Sequence, residues 1–452
     1  MRSQVFHALA ALHIASSLVQ AVNLTSSTCD TACQAGAEAA AQWEQDQRAS
    51  TGSAFYDVPS NFSTRLSPGV LLKIEVATDL ANYTVPSGLS MSRIMYTTTN
   101  LNNTVKPTSA YIFWPYAALN DWKEEGLPLV AWAHGTSGVL GACAPSNYRN
   151  LQYHCMAPYL LALHGMVVVA PDYTGLGVDA LPSGDRIHHS WAASPAQQTI
   201  RPMLSSLLVP HFRFNYDQKA GCKGTVAFAP PTNVFEALEK AFANTSRPDA
   251  PVLLSVQTKL IAGVTASFPA FNYTGFTPLA RDRWFNVLEP LHGCLATDTL
   301  AFAGVPLDQY AFPNWTQHPT AKRFAQLTKV GGKSFKGPLL IVAGEKDIVV
   351  TQDSVQSAVN DTCALLERRG NAESLQMITY QGMNHFPVIQ ASSAKWLQWV
   401  KHRLFDKAPE EVIAGCRTDV VEGFRTEFTP QSITPNFLTT WAPPMEAWKY
   451  SV

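Results

Sequence analysis

Four short runs of continuous apolar residues constrain this chain most: "LPLVAWAHG" (127–135), "MVVVAPDY" (166–173), "GTVAFAPP" (224–231) and "GPLLIVAGEKD" (337–347). Such runs suit strands buried on both faces of a parallel sheet, because crossover helices cover both sides of it. Each ends in Gly, Pro, Asp or His. Open α/β sheets place their chemistry outside the carboxyl ends of the strands, so these terminal residues are the first candidates for function. "SLQMITYQGMNH" (374–385) reads as the last strand.

Earlier in the chain, "VLLKIEVAT", "SRIMYTTT" and "SAYIFWPY" alternate and carry β-branched and aromatic residues, which predicts antiparallel strands joined by turns. "AGAEAAAQWEQDQRA" reads as a helix near the N-terminus. "NVFEALEKAFA" and "PVLLSVQTKLIAGV" show helical patterns between the third and fourth apolar runs, where an insertion forms a cap over the strand ends. "SVQSAVNDTCALLERRG" and "SAKWLQWVKHRLFDK" space their apolar residues to pack on the sheet. The expected architecture is α/β, a mainly parallel sheet flanked by helices with an inserted, mostly helical cap. Its parts are a signal peptide (1–21), the N-terminal part of the main domain (22–231), the cap (232–330), and the C-terminal part with its tail (331–452). The Pro- and aromatic-rich tail from Arg417 is expected to wrap the surface.

Lys+Arg 33 against Asp+Glu 34 leaves a formal charge of -1, so no sequence-wide electrostatic argument favours nucleic acid or an anionic membrane. Arg2, the apolar run Val5 to Val19 and the small-residue pattern Val19-Gln20-Ala21 form a signal-peptide pattern. The run is shorter than the roughly 20 apolar residues a membrane anchor needs, and no other segment is long and apolar enough to span. An even number of Cys, eight, suits disulfides in a secreted chain. Their spacing matches no zinc motif, and Cys29-x-x-x-Cys33 reads as pinning the N-terminal segment. Sequons at Asn23, Asn61, Asn82, Asn102, Asn244, Asn272, Asn314 and Asn360 agree with secretion as glycan acceptors.

Asp347 stands at a strand end in "AGEKDIVV", and His385 follows the next strand in "GMNHFP". Taken singly, Asp347 is a turn cap and His385 a satisfied surface residue. Together they are the acid–base pair of a nucleophilic hydrolase, in which Asp fixes the imidazole tautomer and His takes the nucleophile's proton. The His-Gly turn in "AWAHGTSG" can direct backbone N–H groups at a developing oxyanion, with the Thr136 N–H as candidate donor.

With these elements in place, the chain resembles the fungal secretory lipase family of α/β-hydrolases. The matching stretches are "PLVAWAHGTSG", "CAPS" (143–146), "VVVAPDYTGLG" (167–177), "SWAASPA" (190–196), "GTVAFAPP", "GEKDIVV" and "GMNHFP". The resemblance implies a cap, no cofactor, and Ser-dependent hydrolysis of carboxylic esters with Asp347 and His385 as triad members. It further implies disulfides Cys143 with Cys294 and Cys363 with Cys416.

The chain departs from that family at one place. No Gly-x-Ser-x-Gly occurs in it; Ser137 belongs to the oxyanion loop, and Ser205 and Ser206 lack the glycines that a strained elbow needs. Family members continue after "SPA" with a run like "xANDxxxAVxAARxAFP", then a strand into "GHSQGG", a helix and "GYxGTV". When codons for residues 197–213 begin at the old third base, the residues written here largely dictate the last two bases of each new codon. That frame can encode A-N-D-P-T-N-A-V-I-S-A-R-S-A-F-P, the family's run. It still ends before an elbow, so a further strand and helix are missing before "GCKGTV". An out-of-phase, overlong predicted intron accounts for both.

The expected function is a secreted carboxylic ester hydrolase resembling triacylglycerol lipases, whose literal sequence is inactive for want of a nucleophile. Its partner is an ester or lipid substrate, with room for contact at a lipid interface but no membrane span. One alternative is an esterase deacylating a small secreted metabolite, such as an acetylated terpenoid or trichothecene. The other is a non-catalytic lipid- or ligand-binding pseudoenzyme. Phe268, Phe271, Phe276 and Trp284 either line an acyl pocket or form the core of the cap.

Overall fold

The computed structural model of the chain describes residues 23–49, 53–101, 103–119, 127–152, 157–189, 223–335, 337–370, 373–405 and 414–422. The expected signal peptide, Asn102, Ser205, Ser206, the rest of the frame-shifted stretch and the tail beyond residue 422 lie outside them.

The three alternating segments form an antiparallel meander, β1 (Leu71–Glu75), β2 (Leu89–Thr99) and β3 (Val105–Pro115). Two apolar runs follow as β4 (Leu129–Ala131) and β5 (Val167–Pro171), which pair in parallel. Because β5 runs antiparallel to β3, this five-stranded sheet is mixed, with the order β1-β2-β3-β5-β4. A second, four-stranded sheet is parallel throughout and has the order β6 (Thr225–Phe228), β7 (Leu339–Gly344), β8 (Ser374–Tyr380) and β9 (Gly415–Val421).

Among the described residues the last strand is therefore β9 and not the 374–385 segment, and Arg417 lies in a ladder, not in a surface wrap. Its edge position explains why it escapes sequence reading. Arg417, Thr418 and Val420 are exposed, so "GCRTDVV" shows no apolar periodicity, while full backbone pairing to β8 holds it in place. A disulfide between Cys363 and Cys416 ties it down as well.

The two sheets share one core. Met91 and Phe113 of the first, Leu340 and Val342 of the second, and Trp396 all belong to a single buried cluster. Trp132, one residue past β4, lies beside Phe228, the last residue of β6, with ring centroids 6.4 Å apart. The carboxyl ends of β4 and β6 thus face one another through these two side chains. Among the described residues each has a strand partner on one side only. Their exposure follows: β5 is buried at every position, whereas Leu129 and Val130 of β4 and Val226, Ala227 and Phe228 of β6 are half-exposed, and Ala131 is exposed. Runs expected to be buried on both faces are open where the sheet is interrupted.

The helices pack on this frame. α1 (Thr31–Asp46) precedes the meander and α2 (Pro158–Leu163) leads into β5. Between β6 and β7 the chain is helical, with α3 (Val234–Ala243), α4 (Ala250–Ser255), α5 (Gln257–Ser267), α6 (Pro278–Arg283), α7 (Leu295–Ala301) and α8 (Pro319–Thr328). This insertion shares a core with Cys29, Ala37 and Val139, which takes in Phe271, Phe276 and Trp284 as buried residues, with Phe268 half-buried at its margin. Glu44 of α1 anchors it: the carboxylate accepts from the N–H groups of Cys294, Ala296 and Thr297 at the start of α7. Of the sheet-covering helices, α9 (Gln352–Arg368) lies on one face of the second sheet, while α10 (Pro387–Ala391) and α11 (Ser393–Phe405) contribute to the shared core on the other.

Candidate active site

Asp347 and His385 sit in the loops that leave β7 and β8, and the backbone brings those loops together. Glu345 N–H donates to Tyr380 C=O at 3.0 Å, and Lys346 N–H donates to Met383 C=O at 2.9 Å. Gly344 permits this approach, since a Cβ there would stand 2.4 Å from the Met383 oxygen. Asn384 bridges from the other side, its Oδ1 accepting from Ile348 N–H (3.3 Å) and His385 N–H (2.8 Å). Asp347 is buried. Its Oδ1 accepts from the N–H groups of Val349 and Val350, both at 2.8 Å, and its Oδ2 faces His385 Nδ1 at 2.8 Å. This arrangement places the ring proton on Nδ1 and leaves Nε2 as the basic nitrogen, which is the tautomer a general base requires. Asn384 lies within the quoted motif "GMNHFP", but nothing in its spacing reveals that it braces two loops.

The loop after β4 carries His134, Gly135, Thr136, Ser137 and Gly138. His134 is buried, its Nδ1 is 2.6 Å from Gly135 O, and its ring stacks on Tyr173 at 4.1 Å. Tyr173 donates its hydroxyl to His134 C=O at 3.0 Å. Thr136 is half-buried and Ser137 buried. At the far end of the loop Gly138 has φ 137, and a Cβ would meet Cys143 Sγ at 2.5 Å. Cys143 is bonded to Cys294 of the helical insertion, so the loop is packed against a cross-link to that insertion. Cys29 and Cys33 form the third disulfide among the described residues.

Asp172, which follows β5, is fully buried and organises the ground beneath this loop. It accepts from Ser109 Oγ (2.6 Å), Ser146 N–H (2.7 Å) and Ser146 Oγ (2.5 Å). Because the Ser146 hydroxyl proton goes to the carboxylate, Tyr56 donates its own to Ser146 Oγ at 2.8 Å. Burial pushes the Asp172 carboxyl up, against the opposing effect of these hydrogen bonds. The sequence signal was Asp at a strand end, which does not separate a buried structural carboxylate from a catalytic one.

The seven described sequon asparagines, Asn23, Asn61, Asn82, Asn244, Asn272, Asn314 and Asn360, are all exposed. No group of three or more His, Cys, Asp or Glu among the described residues is placed to hold a metal ion. No described helix is long and apolar enough to cross a membrane.

No protein-family model matches the chain, and no curated protein matches it. Solved structures do. Lipase A of Candida antarctica superposes with a TM-score of 0.58 at 15% identity, over 83% of this chain and 90% of that one. Its closed state gives 0.55 at 14% identity, over 84% and 90%. The rice cell wall degrading esterase LipA of Xanthomonas oryzae gives 0.51 at 16% identity, over 76% of this chain and 100% of that one. At such identities the likeness concerns architecture, and it establishes that this chain has the α/β-hydrolase fold found in those lipases and esterases.

Proposed function

We propose that this chain derives from a secreted carboxylic ester hydrolase of the fungal secretory lipase type, and that its sequence omits the segment bearing the nucleophile. The observation that carries the reading is the Asp347–His385 hydrogen bond of 2.8 Å at the carboxyl ends of adjacent strands. The interruption between β4 and β6 supports it. The missing sequence lies between β5 and β6 in the chain, and among the described residues β6 has no strand partner on the side toward β4. A parallel strand inserted there would end between the His134–Gly138 loop and the loops of Asp347 and His385.

In the complete enzyme, His385 Nε2 takes the proton of the serine as its oxygen attacks the ester carbonyl. Asp347 stabilises the resulting imidazolium, and the Thr136 N–H donates to the oxyanion. His385 then returns the proton to the leaving alcohol, and water releases the acid by the same steps. The chain as written lacks the first actor and hydrolyses no ester by this route. Secretion accounts for the disulfides and for the exposure of the described sequons, which we assign as glycan acceptors. Residues 232–330 act as the cap, with Phe271, Phe276 and Trp284 in its core rather than in an acyl pocket.

The test is the protein made from the full-length transcript. Hydrolysis of p-nitrophenyl esters, abolished by Asp347→Ala, supports the reading; a folded, secreted product with no hydrolytic activity overturns it in favour of a ligand-binding pseudoenzyme. Preference for long over acetyl chains separates a lipase from an esterase acting on a small acetylated metabolite.

A further inference from the structure

Tyr173 lies outside the acid–base pair and outside the oxyanion loop, yet its hydroxyl ends on that loop. It belongs to the motif "APDYTGLG" and adopts a left-handed conformation, φ 73, that a bulky residue rarely takes. Its ring stacks on the buried imidazole of His134 at 4.1 Å and lies parallel to that of buried His189 at 6.1 Å. His189 is held in turn by its Nδ1, 2.9 Å from Thr174 O.

Consecutive carbonyls of the oxyanion loop are held in this way. Tyr173 donates to His134 C=O (3.0 Å), and His134 Nδ1 meets Gly135 C=O (2.6 Å). A trans peptide is planar, and its N–H points opposite to its C=O. Fixing the Gly135 carbonyl against the His134 ring therefore aims the Thr136 N–H away from that ring. Fixing the His134 carbonyl against Tyr173 does the same for the Gly135 N–H. Burial pushes His134 down to about 4, so at neutral pH the ring carries one proton. Of its two carbonyl contacts, Gly135 at 2.6 Å and Asp172 at 3.3 Å, the shorter one takes it.

We propose that Tyr173 and His134 are positioning residues, which set the direction of the Thr136 N–H toward the oxyanion by pinning the two preceding carbonyls. The inference rests on the Ser-dependent ester hydrolysis proposed above. Neither side chain has to touch substrate. Loss of the pin leaves substrate binding intact and weakens only the interaction that strengthens in the transition state.

The experiment uses the full-length, elbow-bearing protein. Tyr173→Phe keeps the stacked ring and removes one hydroxyl; kcat falls about tenfold, a fraction of the loss seen when an oxyanion donor is deleted, and KM moves less than about twofold. Binding of a trifluoromethyl ketone analogue of the ester weakens by the same factor as kcat. His134→Ala behaves similarly, whereas His134→Asn, whose amide nitrogen can take the place of Nδ1, recovers most of the rate. Tyr83→Phe is the control, because it also removes a hydroxyl donated to a carbonyl (Ser146, 2.9 Å) but leaves the oxyanion loop alone. It lowers thermal stability without lowering kcat. Should Tyr173→Phe fail to fold, the contrast between His134→Ala and His134→Asn decides the question. Unchanged kcat in Tyr173→Phe, an equal loss in Tyr83→Phe, or no difference between the His134 variants overturns the proposal while leaving ester hydrolysis standing. An unsubstituted protein that hydrolyses no ester overturns both.

Discussion

His385 Nδ1 lies 2.8 Å from Asp347 Oδ2, and Asp347 spends its other oxygen on two backbone N–H groups, so the carboxylate is oriented before any substrate arrives. In the elbow-bearing protein Asp347→Asn keeps the shape and presents a donor to Nδ1, which favours the wrong tautomer. By analogy with other triads, kcat falls by about 10⁴ with little change in stability, and steady-state kinetics beside a thermal melt check both halves.

The close approach of the loops that carry Asp347 and His385 depends on Gly344. Gly344→Ala places a methyl 2.4 Å from the Met383 oxygen, which is backbone and cannot swing aside. A loss of about 1–3 kcal/mol in stability is expected from overpacking of this kind, with a fall in kcat as Asp347 and His385 separate. Urea unfolding and a rate measurement on the same preparation test this.

His134 and His189 give the protein an acid limit. Burial pushes both down from 6.5 to about 4. The unfolded chain therefore binds these protons first, and the stability due to the neutral rings is complete above about pH 6.5. It is lost as pH falls toward 4, on the order of 3 kcal/mol for each ring. Urea midpoints at pH 7, 5 and 4 should fall progressively, and less steeply in His189→Phe than in the parent; parallel slopes would contradict the assignment.

Asp172 separates charge from hydrogen bonding. Asp172→Ala strands the Ser146 N–H and the hydroxyls of Ser109 and Ser146, at roughly 1–3 kcal/mol for each orphan, so a large drop in melting temperature is expected. Asp172→Asn retains the shape and can pair with both hydroxyls. Since burial raises the Asp172 pKa, its ionisation costs stability as pH rises through the folded value, and the Asn variant lacks that loss.

Much of this was legible in the residues. Continuous apolar runs of strand length bounded by Gly, Pro, Asp and His give the strands β4 to β7, and "SLQMITY" gives β8. β9 was not legible, since an edge strand needs backbone pairing and one disulfide more than it needs apolar side chains. Asp347 and His385 could be singled out as a pair from their places at strand ends, and the fold brings them to 2.8 Å. Asn384, Asp172 and Tyr173 could not, because what they do is set by which carbonyls and N–H groups the fold brings within reach. The half-exposure of β4 and β6 was foreshadowed by the missing elbow: two edges that should flank a central strand have none between them among the described residues. At roughly 1–3 kcal/mol for each buried group left unpaired, against a total stability of about 5–15 kcal/mol, the chain as written should unfold at low denaturant.

The most direct measurement is the sequence of the full-length transcript across Ser190 to Pro231. The expected transcript encodes the shifted frame "AND…AFP", then a strand running into Gly-x-Ser-x-Gly and a helix before "GTV", in a protein that hydrolyses esters. A transcript that encodes "AQQTIRPMLSSLLVPHF" as written, and yields a secreted, cooperatively folded protein, would contradict it.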